Sequence, residues 1–186
     1  MTYDAIIKDT KDRMEKALTH LQDHLRSIRT SRASPALVEN IRVDYYGTPT
    51  PIAQLASISV PEPRQLMIKP FDVSSLQEVS KAIQKSDLGV QPQSDGKVLR
   101  LVMPPLSGEQ RKKYAAKVKE MCEESRVAMR NSRRDMNKVA DSMKKSSEIT
   151  EDENHKLHEE IQDLLKGFEG KVQDVQDKKT AEIMEV

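Results

Sequence analysis

The sequence has no tryptophan, two phenylalanines and four tyrosines among its 186 residues, too few to supply a large aromatic core or an aromatic-lined cofactor pocket. Its one cysteine, Cys122, has no internal partner for a disulfide, which suits a reducing compartment. Apolar runs are only a few residues long and mean hydropathy is -0.70, which excludes a membrane-spanning helix of about 20 apolar residues. Residues 1–11 contain Asp4 and Asp9 and no apolar stretch, so a secretory signal is not expected. The expected location is cytoplasmic. The sequence also has no GxGxxG, Walker, GxSxG or HExxH motif, which leaves phosphate-loop, serine-hydrolase and zincin chemistry without a recognisable site.

The most informative absence is regional. All nine prolines fall between Pro35 and Pro105, and residues 1–34 and 106–186 have none. Proline lacks the N–H and collides with the preceding helical turn, so the outer segments can form long helices and the middle segment cannot. In the first segment Tyr3, Ile7, Met14, Ala17, Leu21, Leu25 and Ile28 recur at steps of three, four or seven, predicting a helix over about 2–30. Ser107 with Gln110 has capping-box spacing and opens a second stripe of Tyr114, Val118, Met121, Met129, Met136, Val139 and Met143; Thr150 with Glu153 opens a third, Leu157, Ile161, Leu164, Phe168, Val172, Val175 and Ile183. Helices over about 107–146 and 150–184 follow. Each has one narrow apolar seam, and three such seams are buried together by bundling.

The middle segment alternates instead. Ile41, Val43 and Tyr45 precede a Gly47-Thr48-Pro49 turn, Ile58 and Val60 precede Pro61, and Leu66 to Ile68 end at Pro70. Ser75 and Glu78 suggest a capping box for a helix bearing Leu76, Val79 and Ile83 and ending near Gly89; Ser94-Asp95-Gly96 marks a turn before a strand from Val98 to Met103. The expected class is α+β: an elongated antiparallel three-helix bundle of residues 1–30 and 106–186, with a small α/β domain, 31–105, inserted at joints near 30–35 and 104–107.

Net charge is only +1, yet residues 107–147 hold 12 Lys/Arg against 6 Asp/Glu, net +6, while 148–186 hold 5 against 12, net -7. Lys112, Lys119, Arg126 and Arg133 recur at heptad spacing with Arg130 beside them, a strip about 120° around the helix from its seam. Such a strip either pairs with the acidic neighbouring helix or faces an anionic partner, and arginine suits bidentate phosphate contacts. Cys122 lies at the edge of the seam and reads as a packed thiol. His20 and His24, four apart, and His155 and His158, three apart, lack a third ligand at a recognised spacing. The methionines read as core, and of Tyr45 and Tyr46 only the latter should face outward, a weak signal for base stacking.

Several motifs in order carry a resemblance: Arg29-Thr30-Ser31-Arg32-Ala33-Ser34-Pro35, Tyr45-Tyr46-Gly47-Thr48-Pro49-Thr50-Pro51, Ser86-Asp87-Leu88-Gly89, Pro104-Pro105-Leu106, and Arg126-Val127-Ala128-Met129-Arg130-Asn131-Ser132-Arg133-Arg134-Asp135. Together they resemble the bacterial ribosome recycling factor family along the whole chain. The resemblance implies an L-shaped, tRNA-like monomer with two hinges. It implies a translation factor, not an enzyme, that needs no cofactor or metal. Its bundle would bind 23S ribosomal RNA of the large subunit, and together with elongation factor G and GTP it would split post-termination complexes, with initiation factor three then keeping the subunits apart. It places Arg130 and Arg133 at ribosomal-RNA contacts, with Arg29 and Arg32 as further candidates, while Arg126 and Lys119 rest on the strip alone. Thr30, Ser31, Ala33, Ser34, Pro35, Pro104, Pro105 and Leu106 fall at the implied hinges. The family usually has glycine where this chain has Ser31, so a left-handed backbone there would be strained. A helical-bundle adaptor, whose basic helix serves only its acidic neighbour, is the competing class.

Overall fold

The computed structural model describes residues 2 to 185. Its elements in chain order are α1 (Tyr3–Arg26), a 3-10 turn (Pro35–Leu37), β1 (Arg42–Tyr45), β2 (Thr48–Pro51), a single helical turn α2 (Ile52–Leu55), β3 (Ala56–Glu62) and β4 (Gln65–Pro70). A second 3-10 turn (Val73–Ser75), α3 (Leu76–Lys85), β5 (Gln93–Ser94), β6 (Leu99–Val102), α4 (Gly108–Lys145) and α5 (Glu151–Met184) follow. The chain forms two compact units: Met1–Leu25 with Ala115–Ala181, and Arg26–Tyr114 with Glu182–Val186.

The helical unit packs α1, α4 and α5 along their apolar seams. At one end Ile6 meets Met136, Ala140, Met143, Leu157 and Ile161. Further along, the Ser125 hydroxyl donates to the Ala17 carbonyl at 3.4 Å. Residues early in α1 thus meet residues late in α4, and Arg126 meets Gln173 while Arg133 meets Gln162, so α4 runs antiparallel to both neighbours. The Tyr3 hydroxyl is pushed up to about 12 by burial and by its hydrogen bond to Glu160.

The seams are shifted by one residue at several turns. Ile6, Thr10 and Leu18 are buried in α1, with Ile7 and Ala17 half-buried beside them, and α5 buries Leu165, not Leu164. Cys122 and Ala140 are fully buried in α4, whereas Tyr114, Met121 and Val139 are half-buried. Adjacent helical positions lie 100° apart, so either can border a seam, and the register of the partner helix decides. Thr10, although polar, is satisfied internally by donating its hydroxyl to the Ile6 carbonyl at 2.7 Å.

Two capping boxes form. Ser107 Oγ accepts from the Gln110 amide while Gln110 Oε1 accepts from the Ser107 amide. Thr150 Oγ1 accepts from the Glu153 amide at 3.2 Å, and the Glu153 carboxylate accepts from the Thr150 amide at 2.8 Å. These bonds hold the Glu153 carboxyl below its ordinary value of 4.5. The sign follows: a carboxyl with a lowered folded value contributes stability that is present above the unfolded value and lost as pH falls through the folded one. The difference in melting temperature between the natural chain and Glu153→Gln should therefore be full near neutrality and shrink below about pH 4.5, as thermal melts across pH would show.

The mixed unit centres on an antiparallel sheet of order β3-β4-β6-β5. Register places Ile68 opposite both Ile58 and Leu99, and Leu66 opposite Leu101. Leu66, Ile68, Leu99 and Leu101 are fully buried while Arg100 and Val102 between and beyond them are exposed, so one face is covered, with Val79 and Ile83 of α3 in the same core. Pro61 falls where the edge strand β3 shifts register between Ser59 and Glu62. The predicted capping box at Ser75 and Glu78 does not form. Asp72 instead accepts from the Ser74 amide at 2.9 Å, Ser75 spends its hydroxyl on the Asp72 carbonyl, and Glu78 pairs with Lys81.

β1 and β2 form a separate hairpin with Tyr45 opposite Thr48. Its turn residues, Tyr46 and Gly47, have φ of 49° and 80°, the left-handed pair of a type I′ turn, which favours Asn-Gly. Left-handed backbone costs an L-residue about 1–2 kcal/mol, so Tyr46 is held against its own preference.

Candidate nucleic-acid interface

Three arginines of α4, Arg126, Arg130 and Arg133, sit along its boundary with α5. Arg126, with only 16% of its side chain exposed, donates to Gln173 Oε1 at 2.8 Å and Gln176 Oε1 at 3.1 Å. Arg130 forms a tight ion pair with Glu123 and lies 3.5 Å from Glu169. Arg133 donates to Gln162 Oε1 at 2.7 Å. Descending α5 as α4 ascends, the partners are thus mostly amides. An amide oxygen orients a guanidinium without cancelling its charge, whereas Glu123, held below the ordinary carboxylate range by Arg130, cancels one. Lys119 and Arg134 are exposed on the same helix. Arg134 lies off the heptad spacing of the strip, and its sequence signal is its place beside Arg133 in the motif.

Arg29 and Arg32 have different surroundings. Arg29 donates from Nη1 to the Leu88 carbonyl and from Nη2 to the Pro104 carbonyl, both at 3.0 Å. It is a staple joining three segments of the mixed unit. Arg32 pairs with Glu185 at 2.6 Å. The Thr30 hydroxyl accepts from the Arg32 amide, Ala33 donates its amide to the Pro63 carbonyl, Ser34 precedes the 3-10 turn that Pro35 opens, and Leu106 is buried while Pro104 and Pro105 are exposed. These residues all lie inside the mixed unit, and the division between units falls within the helices, after Leu25, Tyr114 and Ala181.

Ser31 differs from expectation. It is not among the residues with positive φ, so serine is unstrained there; it is buried and its hydroxyl donates to the Glu185 carbonyl at 3.2 Å. Ser31→Gly should therefore destabilise the mixed unit by about 1 kcal/mol, through the lost hydrogen bond and a more flexible unfolded chain. Chemical denaturation followed by a probe in that unit checks the sign.

Elsewhere the candidates for chemistry remain structural. Burial pushes the Cys122 thiol up and away from reactivity. His20 and His24 stack on each other at 4.1 Å between ring centroids, and His158 lies 3.1 Å from Asp141 across α4 and α5. Among the described residues no three metal-ligating side chains gather, and no helix is long and apolar enough to cross a membrane.

The family model for ribosome recycling factor matches residues 21–184. The chain belongs to the ribosome recycling factor family. A ribosome-recycling factor from Syntrophobacter fumaroxidans is 47% identical over 181 residues, covering 97% of this chain and 98% of that one. The solution structure of a ribosome recycling factor superposes with a TM-score of 0.79 at 35% identity, covering 100% of this chain and 99% of the other. The T. thermophilus ribosome recycling factor, in models that hold it with E. coli elongation factor G on the E. coli post-termination complex, gives a TM-score of 0.70 at 36% identity, with both chains fully covered. In this chain the α+β class and the insertion between the first and second long helices agree with the sequence reading.

Proposed function

We propose that this chain acts without catalysis of its own, splitting post-termination ribosomes into subunits together with elongation factor G. Residues 1–30 and 106–186 would anchor on 23S ribosomal RNA of the large subunit, through Arg130 and Arg133 with Arg126, Lys119 and Arg29 as further contacts, and Arg32 would add one from the start of the inserted segment. The inserted segment 31–105 would take up force from elongation factor G, whose own GTP hydrolysis supplies it. Thr30, Ser31, Ala33, Ser34, Pro35, Pro104, Pro105 and Leu106 would serve as the hinges through which that load passes. Initiation factor three would then keep the subunits apart, and the free factor would be a cytoplasmic monomer.

The observation that carries this reading is the amide-lined boundary of α4 and α5. A basic helix meant only to neutralise an acidic one would meet carboxylates at each arginine. Here Gln162 takes that place at Arg133, and Gln173 and Gln176 at Arg126 across the helix boundary, while Arg130 meets Glu123 and Glu169 and Glu123 also lies 3.5 Å from Arg126, so the charge of Arg133 is oriented yet retained, as a phosphate backbone requires. The test is twofold. Binding to purified large subunits should weaken steeply with salt, and light scattering of post-termination complexes with elongation factor G and GTP should fall only when this chain is added. Salt-insensitive binding and no splitting would leave the adaptor reading.

A further inference from the structure

Four of the six glycines have a local reason for their place. Gly47, Gly89 and Gly96 take φ of 80°, 63° and 80°, and Gly108 opens α4. Gly167 and Gly170 have no such reason. They are exposed and three apart inside α5, neither takes a positive φ, and a Cβ built on either would meet no atom within 4 Å. Inside a helix glycine is the costliest residue after proline, because its chain loses the most freedom on ordering and its bare peptide groups open to water. Alanine would fit both positions and strengthen the helix, so α5 carries a weak turn that its own packing does not require.

The weak turn sits where α5 faces the arginines of α4. Before it Gln162 holds Arg133 at 2.7 Å, and after it Gln173 and Gln176 hold Arg126 at 2.8 and 3.1 Å. Phe168, buried in the seam with Lys171 Nζ 4.5 Å from its ring centroid, anchors the middle. Between the two glycines stands Glu169, 3.5 Å from Arg130. The other carboxylate on Arg130, Glu123, belongs to α4 itself and moves with it, whereas Glu169 comes from the neighbouring helix and can part from it. A phosphate arriving at Arg130 meets the Glu169 carboxylate as a like charge a few ångströms away. Glycines on both sides of that carboxylate lower the cost of turning it aside, since bends in helices gather at such positions.

We propose that Glu169 is a positioning residue, which aims Arg130 in the free chain, and that the glycine turn 167–170 lets this carboxylate withdraw when an RNA phosphate takes its place. This deepens the RNA contact proposed above for Arg130 and rests on it.

Hydrogen exchange on the full natural chain should show amides of residues 168–174 opening more readily than those of 158–165 in the same helix. Replacing both glycines, Gly167→Ala with Gly170→Ala, should raise the melting temperature and raise protection across the turn about fivefold per glycine, while affinity for purified large subunits falls at least about threefold, the strength of one partly exposed ion pair. Glu169→Gln supplies an amide like those facing Arg126 and Arg133 and removes the repulsion, so on its own it should raise that affinity. Added to the alanine pair, it should restore the affinity that the pair loses, which a purely structural role of the glycines would not produce. Uniform protection along α5, a lowered melting temperature for the alanine pair, unchanged affinity, or a loss that Glu169→Gln does not restore would each overturn the proposal. If Arg130→Ala leaves large-subunit affinity unchanged, the RNA contact falls and the role of Glu169 with it, whereas binding that depends on Arg130 and is indifferent to the alanine pair removes the role of Glu169 and its glycine turn alone.

Discussion

Ile161→Ala is expected to lower the stability of the helical unit by about 2–5 kcal/mol, the range for truncating a buried isoleucine. Ile161 is fully buried among Ile6, Met136, Ala140, Met143 and Leu157, where all three long helices contribute. Its removal costs the transfer of three carbons and leaves a cavity. Met136 and Met143 are unbranched and can lean into that space, which places the expectation toward the lower part of the range. A typical domain is stable by only about 5–15 kcal/mol, so the loss is a large share of the whole. Leu164→Ala, four residues before Phe168 on the half-buried flank, should cost well under half as much. Native-state hydrogen exchange separates the two units: amides of α4 and α5 should lose protection in Ile161→Ala while those of β4 and β6 keep theirs. Equal losses for the 161 and 164 variants would show that Leu165 does not define the seam.

That contrast also shows where sequence reasoning reaches and where it stops. Proline placement settles which segments can be long helices, because a missing N–H acts locally whatever the partner. Seam membership is settled between helices, so Leu164 and Leu165, or Ile6 and Ile7, are indistinguishable until a neighbour's register chooses. The boxes at Ser107 and Thr150 form because nothing competes for their side chains. Ser75 loses its box to Asp72, three residues upstream, whose own bonds were invisible as a pattern. β2 holds Pro49 and Pro51, which argue against a strand, yet two prolines two apart put both N–H-less positions on the same edge of the strand, and a two-stranded hairpin leaves one edge open. β5, with two residues, is too short to show a period. The basic strip was legible as spacing, but the amides opposite it were not, since Gln162, Gln173 and Gln176 meet arginines only through the antiparallel offset of α5. Ser31 does not take the left-handed backbone that a glycine at this position would suggest, and its hydroxyl has a bond of its own.

Changing Arg130 and Arg133 together to Ala is expected to produce the largest loss of function. The two lie three apart on one face of α4, close enough to address one stretch of RNA backbone. Hydrogen bonds to charged groups contribute about 1.5–3 kcal/mol each, so two lost contacts correspond to a fall in large-subunit affinity of roughly a hundredfold or more. The slope of log affinity against log salt should decrease by about 0.7–0.9 for each phosphate contact removed. Helicity should persist, because alanine is the better helix former and neither arginine belongs to the buried seam. The structure sharpens the alternative outcome. If these side chains serve only α5, the double variant frees Glu123 and Glu169 from Arg130 and Gln162 from Arg133. The melting temperature would then drop while affinity and salt slope stayed put. Those exposed or half-exposed pairs are worth little each, so a large loss of affinity with a nearly unchanged melt assigns the arginines to RNA. Arg134→Ala, exposed beside them, separates general charge from position: if it weakens binding as much as Arg133→Ala, net charge on α4 is what the ribosome reads, and if it weakens binding far less, the orientation imposed by Gln162 is what counts.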